Sequence, residues 1–335
     1  MKVSVVGCGG VSARHFDALS RLGDVEIISV CDIKKDRADS KAAQTGAKAY
    51  YDFDEMLACE KPDCIHIATP HYLHTPMALK ALNAGINVFL EKPCSVSKAE
   101  IRELKETAAA SGKQLGICFQ NRYNRCVRLA KEIIGSGESG SVRAARAFIT
   151  WDRGEDYYSD DWHGRLDKEC GGVLINQAIH TVDLVQYLCG GCRTVTAHVF
   201  NDRLKGIIDV EDTAAVRMEL DGGVIAMLYA TNAFSKNSDV LIEITLDEAV
   251  LRIEGERLFR SAGGGAFEMV CDKQDKEYAG RDYWGHGHSA IIKDFYECLK
   301  TGRHFTTDAA EGAKAALIVL SAYESSAKSE RVEVN

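Results

Sequence analysis

The chain has 335 residues, 46% of them apolar and 27% charged, with a formal net charge of -8. That length exceeds what one hydrophobic core usually organises, so two domains are expected. The acidic balance, with Lys and Arg scattered along the chain, argues against a nucleic-acid or anionic membrane surface and for small-molecule chemistry.

The amino terminus enters a strand directly, without the zones of a signal peptide, and no apolar run approaches the roughly 18 residues of a membrane span. Twelve cysteines are too sparse for a disulfide scaffold, so a cytoplasmic protein with reduced thiols is expected. Lys2–Val6 reads as an apolar strand, followed by Gly7-Cys8-Gly9-Gly10-Val11-Ser12 and an amphipathic stretch to Leu22. This pattern fits a dinucleotide fingerprint: Gly7 permits the tight turn, Gly9 lets backbone approach a pyrophosphate, and a helix opens near Gly10. Ser12 replaces the third Gly or Ala and is small enough for helix-to-strand packing. The competing reading is a merely tight turn between strand and helix. The next strand, 25–31, ends in Asp32, an acid placed to accept from the adenosine ribose and repel a 2'-phosphate. NAD is therefore expected, while Lys34, Lys35 and Arg37 leave NADP open.

Helical and strand patterns then alternate over 34–45, 48–50, 52–59 and 64–68, the signature of a parallel sheet covered by helices. Thr69, Pro70, His71 and His74 follow at a strand's carboxyl end, on the cofactor side. All four prolines fall at Pro62, Pro70, Pro76 and Pro93, which suggests rigid loops there. The apolar run Val88, Phe89, Leu90 delivers Glu91 and Lys92 at its carboxyl end, where the ligand crevice of an open α/β sheet lies. A helix over 97–111 and a strand over 114–119 complete this half. Gln120, Asn121 and Arg122 lead into a helix ending near Ile134, and 135–141 reads as a loop.

The periodicity then changes. Segments 142–151, 194–201, 212–220, 224–231, 240–246, 249–254 and 267–271 read as consecutive strands of an antiparallel sheet with a broad face for self-association. Helices over 288–300 and 308–326 close the chain. Between the first two strands, Tyr157, Trp162 and His163 join carboxylates in a loop suited to a carbohydrate, or to an oligomer contact. Gly171 and Gly172 open a stretch in which a continuous helix would place Asn176, His180 and Asp183 on one face. Cys189 and Cys192 have no second pair at zinc spacing, and the glycines between them read as a helix-ending turn. No metal site is expected.

Together the GCGGVS turn, the Asp32 strand end, the stretch ATPHYLHTPMALKALNAGINVFLEKP and GGVLINQAIHTVDL resemble the Gfo/Idh/MocA family. The resemblance implies an α/β plus α+β chain: a Rossmann parallel sheet over 1–120, then a mainly antiparallel open sheet over 121–335 forming homo-dimer or homo-tetramer contacts. It implies an NAD(P)-dependent dehydrogenase or reductase for sugars, sugar derivatives or cyclitols. Lys92 would be the active-site lysine and His180 the general acid/base, and Asn176, the third catalytic residue, where many members carry Asp, would position a hydroxyl without sharing its proton. Gly7, Gly9, Gly10, Val11, Ser12, Asp32, Thr69, Pro70, His71, His74, Glu91, Lys92 and Asn121 would face the cofactor. Arg122, Tyr157, Trp162 and His163 would join Lys92, Asn176 and His180 around substrate. A glycoside-cleaving enzyme using transient oxidation and a non-catalytic nucleotide sensor are the alternative classes.

Overall fold

The computed structural model describes residues 1–273 and 287–335. Two compact units emerge: residues 1–119 with 288–313, and residues 120–287 with 314–335.

In the first unit, strands β1 (Lys2–Val6), β2 (Glu26–Cys31), β3 (Lys48–Tyr50), β4 (Cys64–Ile67), β5 (Asn87–Leu90) and β6 (Leu115–Ile117) form a six-stranded sheet. Their order is β3-β2-β1-β4-β5-β6, with every pair parallel. Helices α1 (Ser12–Ser20), α2 (Lys35–Thr45), α3 (Phe53–Cys59), α4 (His74–Asn83) and α5 (Lys98–Ser111) link them. Burial on both faces accounts for the apolar runs: all four residues of β4 are buried, as are Val88, Phe89 and Leu90. Strand order reverses between β1 and β4, so the ligand crevice of such a sheet lies beyond their carboxyl ends.

The second unit holds a nine-stranded sheet of order β14-β13-β12-β11-β7-β10-β9-β8-β15. Its strands are β7 (Val142–Thr150), β8 (Cys192–Phe200), β9 (Thr213–Leu220), β10 (Ile225–Thr231), β11 (Leu241–Leu246), β12 (Ala249–Glu254), β13 (Arg257–Ala262), β14 (Glu268–Cys271) and β15 (Val332–Glu333). All pairings are antiparallel except β7 with β10, which run parallel from Ala144 opposite Ile225 to Thr150 opposite Thr231. Alternation is clear in β7: Ala145, Ala147 and Ile149 are buried, while Arg146 and Phe148 project to the other face. That face also carries Met227, Tyr229 and Phe200, exposed by 49%, 37% and 44%, with Tyr229 directly opposite Phe148.

Sequence patterning missed β13 and β15. The apolar positions of β13 are interrupted by Arg and Ser, and β15 is two residues defined by pairing with β8. A continuous helix through Asn176 is also corrected. Helices α6 (Arg125–Ser136), α7 (Val173–Asn176) and α8 (Ile179–Cys189) are observed, with a break at Gln177 and Ala178. Asn176 therefore ends one short helix and His180 stands in the first turn of the next, with Gln177 and Ala178 between them still at right-handed helical angles. As expected, the turn at Gly190, with φ +107°, ends α8.

A single cut at residue 120 does not describe the two units. Helix α9 (His288–Thr301) belongs with the parallel sheet because Phe295 packs on Phe89 at 5.1 Å and on Phe305 at 5.1 Å. Just beyond it, the Ile117 amide donates to the Thr307 carbonyl at 2.8 Å. Long-range burial decides this boundary, which local pattern cannot reveal. The last helix is α10 (Ala309–Lys328). Among the described residues, no helix is long and apolar enough to cross a membrane.

Candidate active site

The glycine turn after β1 has a steric cause. Gly7 adopts φ +85°, and a Cβ there would lie 2.3 Å from the Ala68 carbonyl oxygen on β4's extension, so a side chain is excluded twice over. Ser12, fully buried, donates from Oγ to the Gly9 carbonyl at 2.6 Å and closes the turn onto the start of α1. A Cβ at Gly10 would meet open space, and at Gly9 only the Arg37 guanidinium at 3.8 Å. Beside the turn, exposed Val11 precedes the helix. Asp32 is oriented by two backbone donors, Cys8 N–H and Lys34 N–H, each at 2.8 Å. Thr69 Oγ1 is buried without a hydrogen-bond partner among the described residues. A small turn open to a diphosphate, an oriented acid and an unsatisfied hydroxyl fit a dinucleotide.

Two residues expected on the cofactor side are turned inward instead. The His74 ring is buried, with Nδ1 2.7 Å from the Pro93 carbonyl and Nε2 2.8 Å from the Thr69 carbonyl, so it ties together the loops after β4 and β5. Burial pulls its pKa below the ordinary value despite those two carbonyls. Glu91 is 4% exposed, and its Oε1 lies 2.9 Å from His15 Nε2 and 3.7 Å from His288 Nε2. Burial alone would raise its pKa, but these two imidazoles overturn that and hold the carboxyl well below its usual range. Pro70 and buried His71 follow Thr69 in a short turn at the end of β4, and Lys92, half-buried, follows Glu91 at the end of β5.

In the second unit, the loop before α7 gathers a polar cluster. Gly171 and Gly172 are required by close approach: a Cβ at Gly172 would sit 1.9 Å from the Glu211 carbonyl oxygen, and one at Gly171 2.2 Å from the Tyr323 hydroxyl. Buried Glu211 accepts from Gly172 N–H at 2.8 Å, Leu174 N–H at 2.9 Å and the Tyr323 hydroxyl at 2.8 Å. Asn176 Nδ2 donates to buried Glu169 and, at 3.3 Å, to the Tyr157 hydroxyl. Gln177 Nε2 donates to the same hydroxyl at 3.0 Å. Asn232 Nδ2 donates to Gln177 Oε1 at 3.0 Å and to the Tyr158 hydroxyl at 2.9 Å. Because a carboxylate only accepts, Glu169 fixes which way the Asn176 amide points. Both amides then donate to Tyr157, whose own proton is left to point elsewhere. Burial, reinforced by Glu169, pushes the Tyr157 pKa up and keeps that proton in place.

Tyr157, His163 and Trp162 form one aromatic wall, with ring centroids 4.7 Å apart for the first pair and 3.8 Å for the second. His163 Nδ1 pairs with Asp160 Oδ2 at 2.5 Å. His180, half-buried, opens the first turn of α8. Arg122 departs from its expected role toward substrate: its Nε and Nη2 grip Asp183 at 2.7 Å and 2.5 Å, and both side chains are buried. Asn121, just before it, is buried with both side-chain polar atoms unpaired among the described residues.

Sequence reasoning missed Glu169, Glu211, Gln177 and Asn232. The one local signal was an acid shortly before the two glycines. The partnership of Asn232 with Gln177, 55 residues apart, has no local trace.

Residues 1–119 match the model of an oxidoreductase family with an NAD-binding Rossmann fold, GFO_IDH_MocA, and residues 127–252 match the GFO/IDH/MocA C-terminal domain. Glucose-6-phosphate 3-dehydrogenase of Bacillus subtilis is 28% identical over 188 residues, 56% of this chain and 53% of that protein, so the match spans about half of that relative's length. The scyllo-inositol 2-dehydrogenase (NAD(+)) of the same organism is 25% identical over 313 residues, covering 90% of this chain and 87% of the relative. Among solved structures, the WlbA dehydrogenase from Bordetella pertussis, in complex with NADH and UDP-GlcNAcA, aligns with a TM-score of 0.86 at 25% identity over 100% of this chain and 99% of that one.

Proposed function

Because the chain belongs to the GFO/IDH/MocA oxidoreductase family, we propose that it moves hydride between a nicotinamide and a secondary alcohol or ketone of a sugar, sugar derivative or cyclitol. The observation that carries this reading is the placement of Lys92 at the carboxyl end of β5, the edge of the parallel sheet on which the Gly7 turn, Asp32 and Thr69 also lie. NAD supplies the hydride acceptor. The protein supplies alignment and proton handling.

In the proposed roles, His180 takes the hydroxyl proton as the alcohol is oxidised, a task suited to an imidazole with an unperturbed pKa of about 6.5. The Lys92 ammonium stabilises the developing alkoxide, an interaction that strengthens where water is excluded. Asn176, held by Glu169, orients rather than titrates, so Asn176 serves as a positioning residue here. Tyr157 donates a hydrogen bond to an acceptor oxygen on the ligand, and the Tyr157, His163 and Trp162 wall meets its C–H face. Asp32 favours NAD over NADP.

The exposed row Phe148, Met227, Tyr229 and Phe200 supports self-association of the open sheet as a homo-oligomer, since monomers seldom leave such faces uncovered. Light-scattering mass at micromolar protein tests this, and a monomer rejects it. All twelve cysteines are free thiols, which supports a cytoplasmic setting.

The test of function is a panel of sugars, sugar phosphates, sugar nucleotides, glycosides and inositols with NAD or NADP, followed at the nicotinamide absorbance together with product analysis. Net NADH with ketone product supports the dehydrogenase. Glycoside cleavage without net NADH selects transient oxidation instead, and NAD binding without any turnover selects a sensor.

A further inference from the structure

Glu91 is separated from Lys92 by a single peptide bond, yet its carboxylate faces a buried chain of rings. His15, on α1, is fully buried; its Nε2 meets Glu91 and its Nδ1 lies 2.8 Å from His66 Nδ1 on β4. His66 Nε2 in turn lies 2.9 Å from the Tyr296 hydroxyl on α9. Only one of the two facing Nδ1 atoms can carry the proton between them, which makes the chain directional. With a doubly protonated His15, His66 accepts at Nδ1 and donates to Tyr296. With a neutral His15, His66 donates back to it and accepts from Tyr296. Each ring nitrogen is satisfied in both states, and His15 Nε2–H donates to Glu91 in both.

We propose that His15 and Glu91 are positioning residues for Lys92: a latch that ties the helix opening at the dinucleotide turn to the strand end bearing the lysine. This inference rests on the role given to Lys92 above. The latch spans α1 and β5, two elements whose contact is 76 residues apart in sequence, and the second oxygen of Glu91 accepts the Lys92 N–H at 3.2 Å. It therefore holds the lysine's own backbone. The charged and titratable groups around it are His288 of α9 beside Glu91, Arg14 of α1 acting on His288, His66, and His74 and Lys92, both electrostatically coupled to Glu91's surroundings. Tyr296 and Cys64 terminate the far end, and Cys118 lies within 4.8 Å of the His15 and Glu91 ligand atoms.

The experiment uses the full chain with NAD and the panel sugar oxidised fastest. Glu91→Gln and His15→Ala should each lower kcat about 10- to 100-fold, the cost of a displacement on the order of 1 Å at a reacting group, while NADH affinity by fluorescence changes less than about threefold. His15→Gln keeps an N–H donor for Glu91 and should recover much of that loss. In Glu91→Gln the alkaline limb of the kcat profile should move to lower pH, because removing a negative charge next to Lys92 favours its neutral amine. Tyr296→Phe, which leaves the latch itself intact, gives a folded fallback and should shift the same profile with a smaller drop in kcat. Near-normal kcat and an unchanged pH profile in these variants, with only a lower Tm, would overturn the latch when Lys92→Ala is inactive. An active Lys92→Ala would instead overturn the role of the lysine. Zinc-dependent turnover lost in Cys118→Ala would replace the latch with a metal site.

Discussion

Two groups of buried carboxylates, one in each unit, are satisfied in opposite ways. In the parallel-sheet unit, Glu91 is satisfied by imidazoles from α1 and α9, and the rings continue to His66 and Tyr296. In the second unit, Glu211 and Asp212 are satisfied chiefly by backbone N–H groups: Gly172 and Leu174 at the opening of α7 for the former, and Asp202, Arg203 and Leu204 in the loop after β8 for the latter. The first arrangement links distant elements through side chains and so fixes where a strand end sits. The second pins irregular loops, as a mixed sheet with long insertions needs to do. Their proton linkage differs accordingly. Burial lowers the pKa of His66, His74 and His288, whereas burial raises that of Glu211 even against its hydrogen bonds.

The largest effect tests whether the two units share one reaction. Lys92→Ala in the first and His180→Ala in the second should each reduce turnover, His180→Ala by about 10² to 10⁴, with NADH binding nearly unchanged. Full activity in His180→Ala would confine the chemistry to the parallel-sheet unit and sink the proposed division of roles.

Next in size is the ion pair that locks the second unit. Replacing Asp183 by Ala removes the carboxylate that the buried Arg122 guanidinium grips and should cost about 3 to 5 kcal/mol of stability in denaturant unfolding. A loss below about 1 kcal/mol would mean that water reaches Arg122, and would return that residue to the list of substrate ligands.

A smaller effect is expected from exchanging amide and acid in the polar cluster. Asn176→Asp alone sets two carboxylates together and should raise KM and disturb the pH profile. Adding Glu169→Gln restores one acid and one amide, and should recover KM while leaving an altered profile. No recovery in the double variant would show that Glu169 does not orient residue 176.

The smallest effect distinguishes the units by pH. His66, His74 and His288 have folded pKa values below their ordinary value of 6.5, so the stability they contribute is full above that pH and is lost as pH falls through it. Glu91 behaves likewise below its ordinary 4.5. Glu211, raised above 4.5, contributes stability that is full below that value and is lost as pH rises through its folded pKa. Lowering the pH from 7 to 5 should therefore speed hydrogen exchange, corrected for intrinsic rates, in residues 1–119 relative to the second unit. Earlier loss of protection in the second unit would contradict the comparison.

The sequence by itself determined the elements whose causes are local. The Gly7 turn, the apolar parallel strands, Asp32 at the end of β2 and Lys92 at the end of β5 follow from steric permission, two-sided burial and the crevice rule, all readable over a few residues. Tertiary structure alone decided where side chains point and which segments belong together. Glu91 and His74 turn inward because His15, Pro93 and Thr69 wait for them across the fold, and Arg122 is drawn to Asp183, 61 residues away. Helical spacing suggested one continuous helix through Asn176 and His180, whereas the fold divides it into two at Gln177 and Ala178, and the Gln177 amide is held by Tyr157 and Asn232. Buried polar groups must find partners wherever the fold offers them, and those partners carry no signature in the neighbouring sequence.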